Sequence, residues 1–215
     1  IAKNEQTETW FKGLDRVYNN FVYDFLYPNP ASVLAFIENH DTDRFLGEGQ
    51  NFAMLKQATT LLLTIRRIPQ LYYGTEIMMN GTKSKSDGYV RCDFPGGWAG
   101  DKQNAFTAEG RTELQNECYN FYKTILNWRK GNDVIAKGSM TQFMVQNGVY
   151  AYARQYEGKT VFVMLNGTDN ETTLPLKFYK EILKDTTQGK DILSGRTISF
   201  TEDLKMAPRE SLVIE

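Results

Sequence analysis

Two short apolar runs constrain this chain more than anything else in it: Val33-Leu34-Ala35-Phe36-Ile37 and Ile68-Pro69-Gln70-Leu71-Tyr72-Tyr73. Neither alternates apolar with polar residues, which is how a strand covered on both faces reads. Between them, residues 51–66 place Phe52, Leu55, Ala58, Thr59 and Leu62 on one helical stripe. A strand, a helix and a second strand in that order predict parallel pairing through a right-handed crossover. Each run ends in polar and acidic residues, Glu38-Asn39-His40-Asp41-Thr42-Asp43-Arg44 after the first and Gly74-Thr75-Glu76 after the second. Carboxylates are costly to bury unless they have partners. Two such clusters at adjacent strand ends therefore point to a site, and α/β barrels build their sites at that end.

The chain changes character near Arg129-Lys130-Gly131. Before it, helical patterns alternate with short apolar runs. The first helix is expected over about Thr7–Phe25, carrying Trp10, Leu14, Val17, Tyr18, Phe21 and Phe25 at helical spacing. Residues 77–110 hold six glycines and little periodicity, the mark of a long functional loop. A helix over about Arg111–Trp128 follows. After Gly131 the sequence reads as hairpins: Asn147-Gly148 separates two strand runs, a strong hairpin signal, and Glu157-Gly158-Lys159 makes a second turn. Two domains are expected, 1–130 and 131–215, the second an antiparallel sandwich.

Charge and composition exclude some partners. Lys and Arg number 25 against 26 Asp and Glu, without the basic surplus that phosphate binding needs. The most apolar stretch, 58–65, stops at Arg66-Arg67, short of the ~20 residues of a membrane span. The polar start at Ile1, without Met or a signal core, suggests an excised piece or mature remnant of something longer. Cys92 and Cys118 read either as free thiols or as one bridge. Asn80, Asn166 and Asn170 begin N-x-T sequons, a pattern common by chance. Localisation stays undetermined, with an extracytoplasmic compartment, periplasmic or secreted, preferred over a cytoplasmic one.

His40 is the only histidine, so no histidine metal cage exists and no metal ligands are assigned. No Gly-x-Ser-x-Gly elbow accompanies it for a nucleophilic triad. Alone, such a histidine is most often a structural hydrogen-bonding residue; its position at a strand end argues otherwise. Tyr89, Phe94 and Trp98 are either flat stacking surfaces for a ligand or anchors for the long loop, with Phe94 the better anchor.

Phe36-Ile37-Glu38-Asn39-His40-Asp41 resembles the F-x-x-N-H-D motif of the α-amylase family of glycoside hydrolases. Ile68-Pro69-Gln70-Leu71-Tyr72-Tyr73-Gly74-Thr75-Glu76 resembles that family's segment on the last barrel strand, with Arg67 where glycine is usual. Arg91-Cys92-Asp93-Phe94-Pro95-Gly96-Gly97-Trp98 is similar to a loop of its cyclomaltodextrinase and neopullulanase-like members. The resemblance covers nearly the whole chain. It implies an α/β plus all-β architecture: the last strands and helices of a TIM (β/α)8 barrel, then an antiparallel β-sandwich C-terminal domain.

The resemblance also implies a retaining hydrolase of α-1,4-linked, and in a wider reading α-1,6-linked, glucans from starch or cyclodextrins. Retention needs a nucleophile and an acid/base carboxyl about 5–5.5 Å apart. In this family both lie ahead of F-x-x-N-H-D. Gly88-Tyr89-Val90-Arg91-Cys92-Asp93 mimics the nucleophile motif but has one residue too many and follows the last barrel strand. What remains is the third carboxylate: Asp41 as catalytic transition-state stabiliser, with His40, Asn39, Asp43, Arg44, Tyr89, Arg91, Asp93 and Trp98 as substrate-binding residues. Glu76 is expected to pair within the barrel. No cofactor is evident, and calcium stays open for a full-length enzyme. The expected partners are an α-glucan oligosaccharide and, for the exposed strands, the upstream half of the barrel or a second copy, with no nucleic acid and no membrane. The main alternative is a non-catalytic, amylase-like binding or assembly protein. A carbohydrate-binding module in the tail ranks below both, because the tail's aromatics alternate like core residues.

Overall fold

In the computed structural model, which describes residues 12–49 and 51–215, the first half alternates helix and strand. α1 spans Leu14–Val22 and tightens into a 3-10 turn at Tyr23–Leu26; residues 7–11 of the expected first helix lie outside the described residues. β1 (Leu34–Phe36), α2 (Phe52–Thr64) and β2 (Ile68–Gln70) follow, and β1 pairs with β2 in parallel, Leu34 opposite Ile68 and Phe36 opposite Gln70. Both strands are shorter than the apolar runs that predict them. Pro69 has no N–H to extend a ladder, and Leu71–Tyr73 leave the strand for the turn that leads to Gly74. The long loop carries a short helix, α3 (Asp87–Val90). α4 (Glu113–Arg129) opens with a capping box between Thr112 and Gln115, which satisfies two otherwise free backbone donors.

The tail contains α5 (Asp133–Lys137), β3 (Ser139–Gln142), β4 (Val149–Tyr156), β5 (Lys159–Asn166), β6 (Thr172–Leu174), α6 (Lys180–Leu183), β7 (Gln188–Lys190), β8 (Thr197–Ser199), β9 (Leu204–Met206) and β10 (Ser211–Ile214). The strands β10-β5-β4-β3 form one antiparallel sheet, and β6-β9 and β7-β8 form two separate pairs. The hairpin turns fall where the sequence places them. Asn147 and Gly148 both have positive φ, as do Glu157 and Gly158, the backbone that two-residue hairpins require. Two expectations need correction. The tail is not all-β, since α5, α6 and a 3-10 turn at Leu176–Tyr179 interrupt it. The second layer is not a continuous sheet either. Its strands are three residues long, and after β6 Pro175 turns the chain into the 3-10 and helical stretch.

The four-stranded sheet is buried on both faces. Val149, Ala151, Ala153, Phe162, Met164, Leu212 and Ile214 face the tail's own second layer with Tyr179 and Leu174. The alternate residues Tyr150, Tyr152, Val161, Val163, Leu165 and Val213 pack against Leu14, Leu61 and Ile65 of the first half. Period-2 alternation puts successive side chains on opposite faces, so continuous burial along β4 requires both layers. The tail therefore does not own its whole core.

Polar groups stitch the two halves at the same seam. Gln57 Nε2, buried in α2, donates to the Asn166 carbonyl at 2.7 Å. Thr64 and the Tyr152 hydroxyl share a hydrogen bond. Arg154 is 1% exposed and donates to the carbonyls of Thr64 (2.8 Å), Ile135 (2.8 Å), Gly138 (2.9 Å) and Ser139 (3.1 Å). Burial pulls its pKa down to about 10, and its donors reach carbonyl oxygens that include the C-terminal end of α2, where a cation complements the helix dipole. Among the described residues no helix is long and apolar enough to cross a membrane.

Arg154→Met keeps the chain length and removes the donors. Each buried group left without a partner costs about 1–3 kcal/mol, so urea denaturation should show unfolding free energy lower by about 3 kcal/mol or more. A loss below about 0.5 kcal/mol would mean that the seam does not depend on this guanidinium.

Candidate functional site

β1 and β2 end side by side, and a buried ion pair fixes the two turns that leave them. Glu38, 1% exposed, accepts from Arg44 Nη1 at 3.2 Å, from the Phe45 amide and from the Thr75 hydroxyl. Arg44 also donates to the carbonyls of Val90 (3.1 Å) and Tyr73 (2.6 Å). Its guanidinium lies over Tyr72, 4.0 Å from the ring centroid. One pair thus joins the 38–45 turn, the 73–75 turn and the end of α3.

This corrects one assignment. Arg44 is 0% exposed, so it is not open to a sugar; its bonds to Glu38, Val90 and Tyr73 make it a support of the site. Glu38 supplies the acid paired with it at the strand ends. Burial pushes the Glu76 carboxyl above its ordinary value, partly opposed by the backbone donors of Glu76 and Gly74.

Above this base the turn is exposed. Asn39 Oδ1 accepts from the Asp41 amide at 2.8 Å and the Asn39 amide donates to Thr42 Oγ1 at 3.0 Å, a local turn that holds the loop. The side chains of His40 and Asp41 are 58% and 63% exposed, with Nε2 and Oδ2 3.1 Å apart. Arg91 reaches the other Asp41 oxygen at 3.1 Å, Asp87 at 3.2 Å and the His40 carbonyl at 3.0 Å. Lys83 Nζ donates to the Asp41 carbonyl at 3.2 Å, and its amide donates to Asp43 Oδ1 at 2.7 Å. Asn39, His40, Asp41, Asp43 and Arg91 therefore come together, joined by Lys83 and Asp87, which sequence reasoning did not single out. The signal available for those two was the i, i+4 spacing of Lys83, Asp87 and Arg91.

The remaining predicted residues sit on the long loop. Tyr89 is half exposed, with Lys85 Nζ 4.9 Å from its ring centroid. Asp93 is exposed. Trp98 is 67% exposed, on a turn in which Asp101 Oδ2 accepts from the amides of Gly96 (2.7 Å) and Trp98 (3.1 Å). Phe94 is half-buried against Phe106, centroids 4.6 Å apart, as an anchor would be. Cys92 is exposed, Cys118 buried, and both are free. Asn166 is 0% exposed and its amide donates to the carbonyls of Asn170 and Ala207, so its sequon is not open to glycosylation in the folded chain. Among the described residues no cluster has the makings of a metal site.

Chemically, the cluster offers an acceptor carboxylate at Asp41 with donors at His40 and Arg91 beside it, all facing outward. It can grip vicinal hydroxyls.

A family profile described as the Cyclo-malto-dextrinase C-terminal domain matches residues 140–215. An alpha-amylase of Niallia circulans is 30% identical over 200 residues, and a cyclomaltodextrin glucanotransferase of Thermoanaerobacterium thermosulfurigenes 30% over 212. These alignments take in 88% and 95% of this chain but only 34% and 26% of the relatives' own lengths. Among solved structures, an Anoxybacillus alpha-amylase has a TM-score of 0.75 at 20% identity, over 94% of this chain and 42% of that one. The Geobacillus thermoleovorans alpha-amylase solved with acarbose has a TM-score of 0.74 at 23% identity, over 94% and 43%; these two share the fold.

The raised pKa of Glu76 sets a pH signature. A carboxyl whose folded pKa exceeds its unfolded one of about 4.3 favours folding while protonated and loses that contribution as pH rises through the folded value. Glu76→Gln should therefore be more stable than the native chain at pH 7, and denaturation series should show the gap closing as pH falls through the raised folded value toward the ordinary glutamate range. A gap that widened on acidification would contradict the burial account.

Proposed function

This chain corresponds to the C-terminal portion of α-amylase-family proteins, and from that premise we propose that it is the part of a starch-active retaining glycosidase that carries the transition-state-stabilising carboxylate. In this reading β1 and β2 are the last strands of a (β/α)8 barrel, and the tail is its C-terminal domain. The nucleophile and the general acid belong to the rest of the enzyme. The substrate is an α-1,4-linked glucan, from starch or a cyclodextrin.

The observation that carries the reading is the contrast at the strand ends: a buried Glu38–Arg44 base and an exposed Asp41 fixed upon it. An acceptor held rigidly and left open is what differential stabilisation requires. Its bonds to two sugar hydroxyls strengthen as the ring flattens toward an oxocarbenium-like state, which lowers the barrier without tightening ground-state binding equally. His40 and Arg91 orient Asp41, each holding one of its carboxylate oxygens. Arg91, Tyr89, Asp93 and Trp98 form the rim that positions the chain of sugars.

The exposed apolar face of β1 and β2 supports the same reading. Leu34 is 54% exposed, Phe36 43% and Ile68 49%. Such a patch marks a surface meant to be covered, and the inward side chains of further barrel strands would cover it.

In the enzyme that contains this chain, Asp41→Asn should lower kcat roughly 10²- to 10³-fold, the size of effect seen when one stabilising group is lost. Thermal melting should be unchanged, since the ion pairs lost are exposed and worth little. The 215-residue chain by itself should release no reducing sugar from starch, pullulan or cyclodextrin. Wild-type turnover in the Asp41→Asn enzyme, or appreciable cleavage by the isolated chain, would sink the assignment.

A further inference from the structure

Two cations reach the Asp41 turn from the long loop, and they hold different parts of it. Arg91 Nη2 lies 3.1 Å from one Asp41 carboxylate oxygen, while His40 Nε2 lies 3.1 Å from the other. A sugar hydroxyl that donates to Asp41, as the proposed function requires, competes with Arg91 for the same oxygen. Lys83 grips the main chain instead. Its Nζ donates to the Asp41 carbonyl at 3.2 Å, and its amide donates to Asp43 Oδ1 at 2.7 Å. Both contacts leave the Asp41 carboxylate untouched, so a ligand on that carboxylate does not displace them.

The backbone that carries Lys83 is itself pinned. Before it, the Gly81 amide donates to the Gly47 carbonyl at 2.8 Å, and the Gly81 carbonyl accepts from the Arg44 amide at 3.0 Å. A Cβ at Gly81 would lie 2.4 Å from the Tyr89 carbonyl oxygen, and φ there is +153°, so glycine is what lets these backbones approach. After it, Lys85 Nζ pairs with Glu48 at 2.5 Å. Lys83 therefore stands between two ties to the 44–48 segment. Asp87 balances both cations. Its two oxygens lie 3.2 Å from Lys83 Nζ and 3.2 Å from Arg91 Nη2. The hydrogen bond from Lys83, with the charges of Lys83 and Arg91, holds the Asp87 carboxyl below its usual range. Arg91 can give up Asp41 and still keep an ionic partner.

We propose that Lys83 is the positioning residue of the Asp41 turn: it holds the main chain of residues 41–43 while Arg91 passes from Asp41 to Asp87 and frees a carboxylate oxygen for the sugar. The kinetic consequence rests on the starch-active reading above; the grip on the main chain does not. Exposed ion pairs of this kind add little stability, so the role is geometric.

Lys83→Met keeps an unbranched side chain and removes the ammonium. In the enzyme that contains this chain it should lower kcat on the order of tenfold, since small misplacements of a reacting group are felt strongly, with KM within about twofold. Lys83→Arg should recover most of the loss. In the Asp41→Asn background the same change should cost under about twofold, because a residue that acts only through Asp41 has little left to position. An unchanged kcat, equal losses in the two backgrounds, or a loss confined to KM would overturn the proposal. The 215-residue chain gives a readout independent of catalysis. The Asp41 amide donates to Asn39 Oδ1 and the Thr42 amide to the Asn39 carbonyl. Lys83→Met should speed hydrogen exchange at both amides several-fold, with β4 and β5 exchanging as in the native chain. Unchanged exchange at those amides would also overturn it. Native turnover in the Asp41→Asn enzyme, together with faster exchange in Lys83→Met, would uphold the grip of Lys83 and overturn the starch-active reading.

Discussion

Everything in this chain leans on a sheet that has no solvent face. β4 and β5 bury both sets of alternate side chains, one against the tail's second layer and one against α1 and α2. A strand that buries only one face can be supported by a single layer; Tyr150 and Tyr152, with their hydroxyls bonded to Gln142 and Thr64, need the helices. Aromatic residues carry a large apolar surface and a polar tip that must find a partner. Helix and sheet therefore specify each other, and a break between them near residue 131 is a break in local pattern without a break in the core.

Three buried arginines show how charge is used in this frame. Arg154 meets backbone carbonyls, Arg44 meets Glu38 together with carbonyls, and Arg67 meets Asp24. Burial alone would raise the Asp24 carboxyl, but hydrogen bonds from Arg67 and Arg66 outweigh it and hold it below the ordinary range. Such pairs add little net stability against apolar replacements, yet removing one partner is expensive. Their value is positional. Each ties together segments far apart in sequence, and the Glu38–Arg44 pair does so directly beneath Asp41.

Much of this was legible from the residues. Non-alternating runs predicted parallel strands, and Asn147-Gly148 predicted a turn whose positive φ values only such residues adopt cheaply. The seven-residue polar string marked the loop that gathers at the strand ends but not which of its charges is buried. Exposure decides whether a charged residue touches ligand or supports the site, and exposure depends on what packs from elsewhere. Arg44 reads like Asp43 in sequence; Tyr72, Tyr73 and Val90 arrive from distant segments and enclose it. The tail's helical interruptions were missed for a related reason: segments such as Lys180–Leu183 are too short for periodicity to register. Arg67, an oddity where the family resemblance expects glycine, proves to be the partner of Asp24 and of the Pro30 carbonyl.

The two ends of β1 and β2 are built on different principles, and that difference bears on how the proposed site is assembled. Along the strands the apolar face is open, and on the proposed reading further strands must cover it. At the strand ends Glu38, Thr75 and Arg44 close on one another and on the Phe45 amide. The Asp41 turn is held by contacts within the 38–45 segment and with residues 73–91, independently of any strand that joins at the edges. Completion of the sheet can then add its hydrophobic contribution without reshaping the loop that, on the proposed reading, meets the sugar. A catalytic carboxylate gains most when its position is settled before substrate arrives, because no reorganisation is then charged against the transition state. Anchoring Asp41 through a local buried pair separates the stability of the scaffold from the geometry of the site.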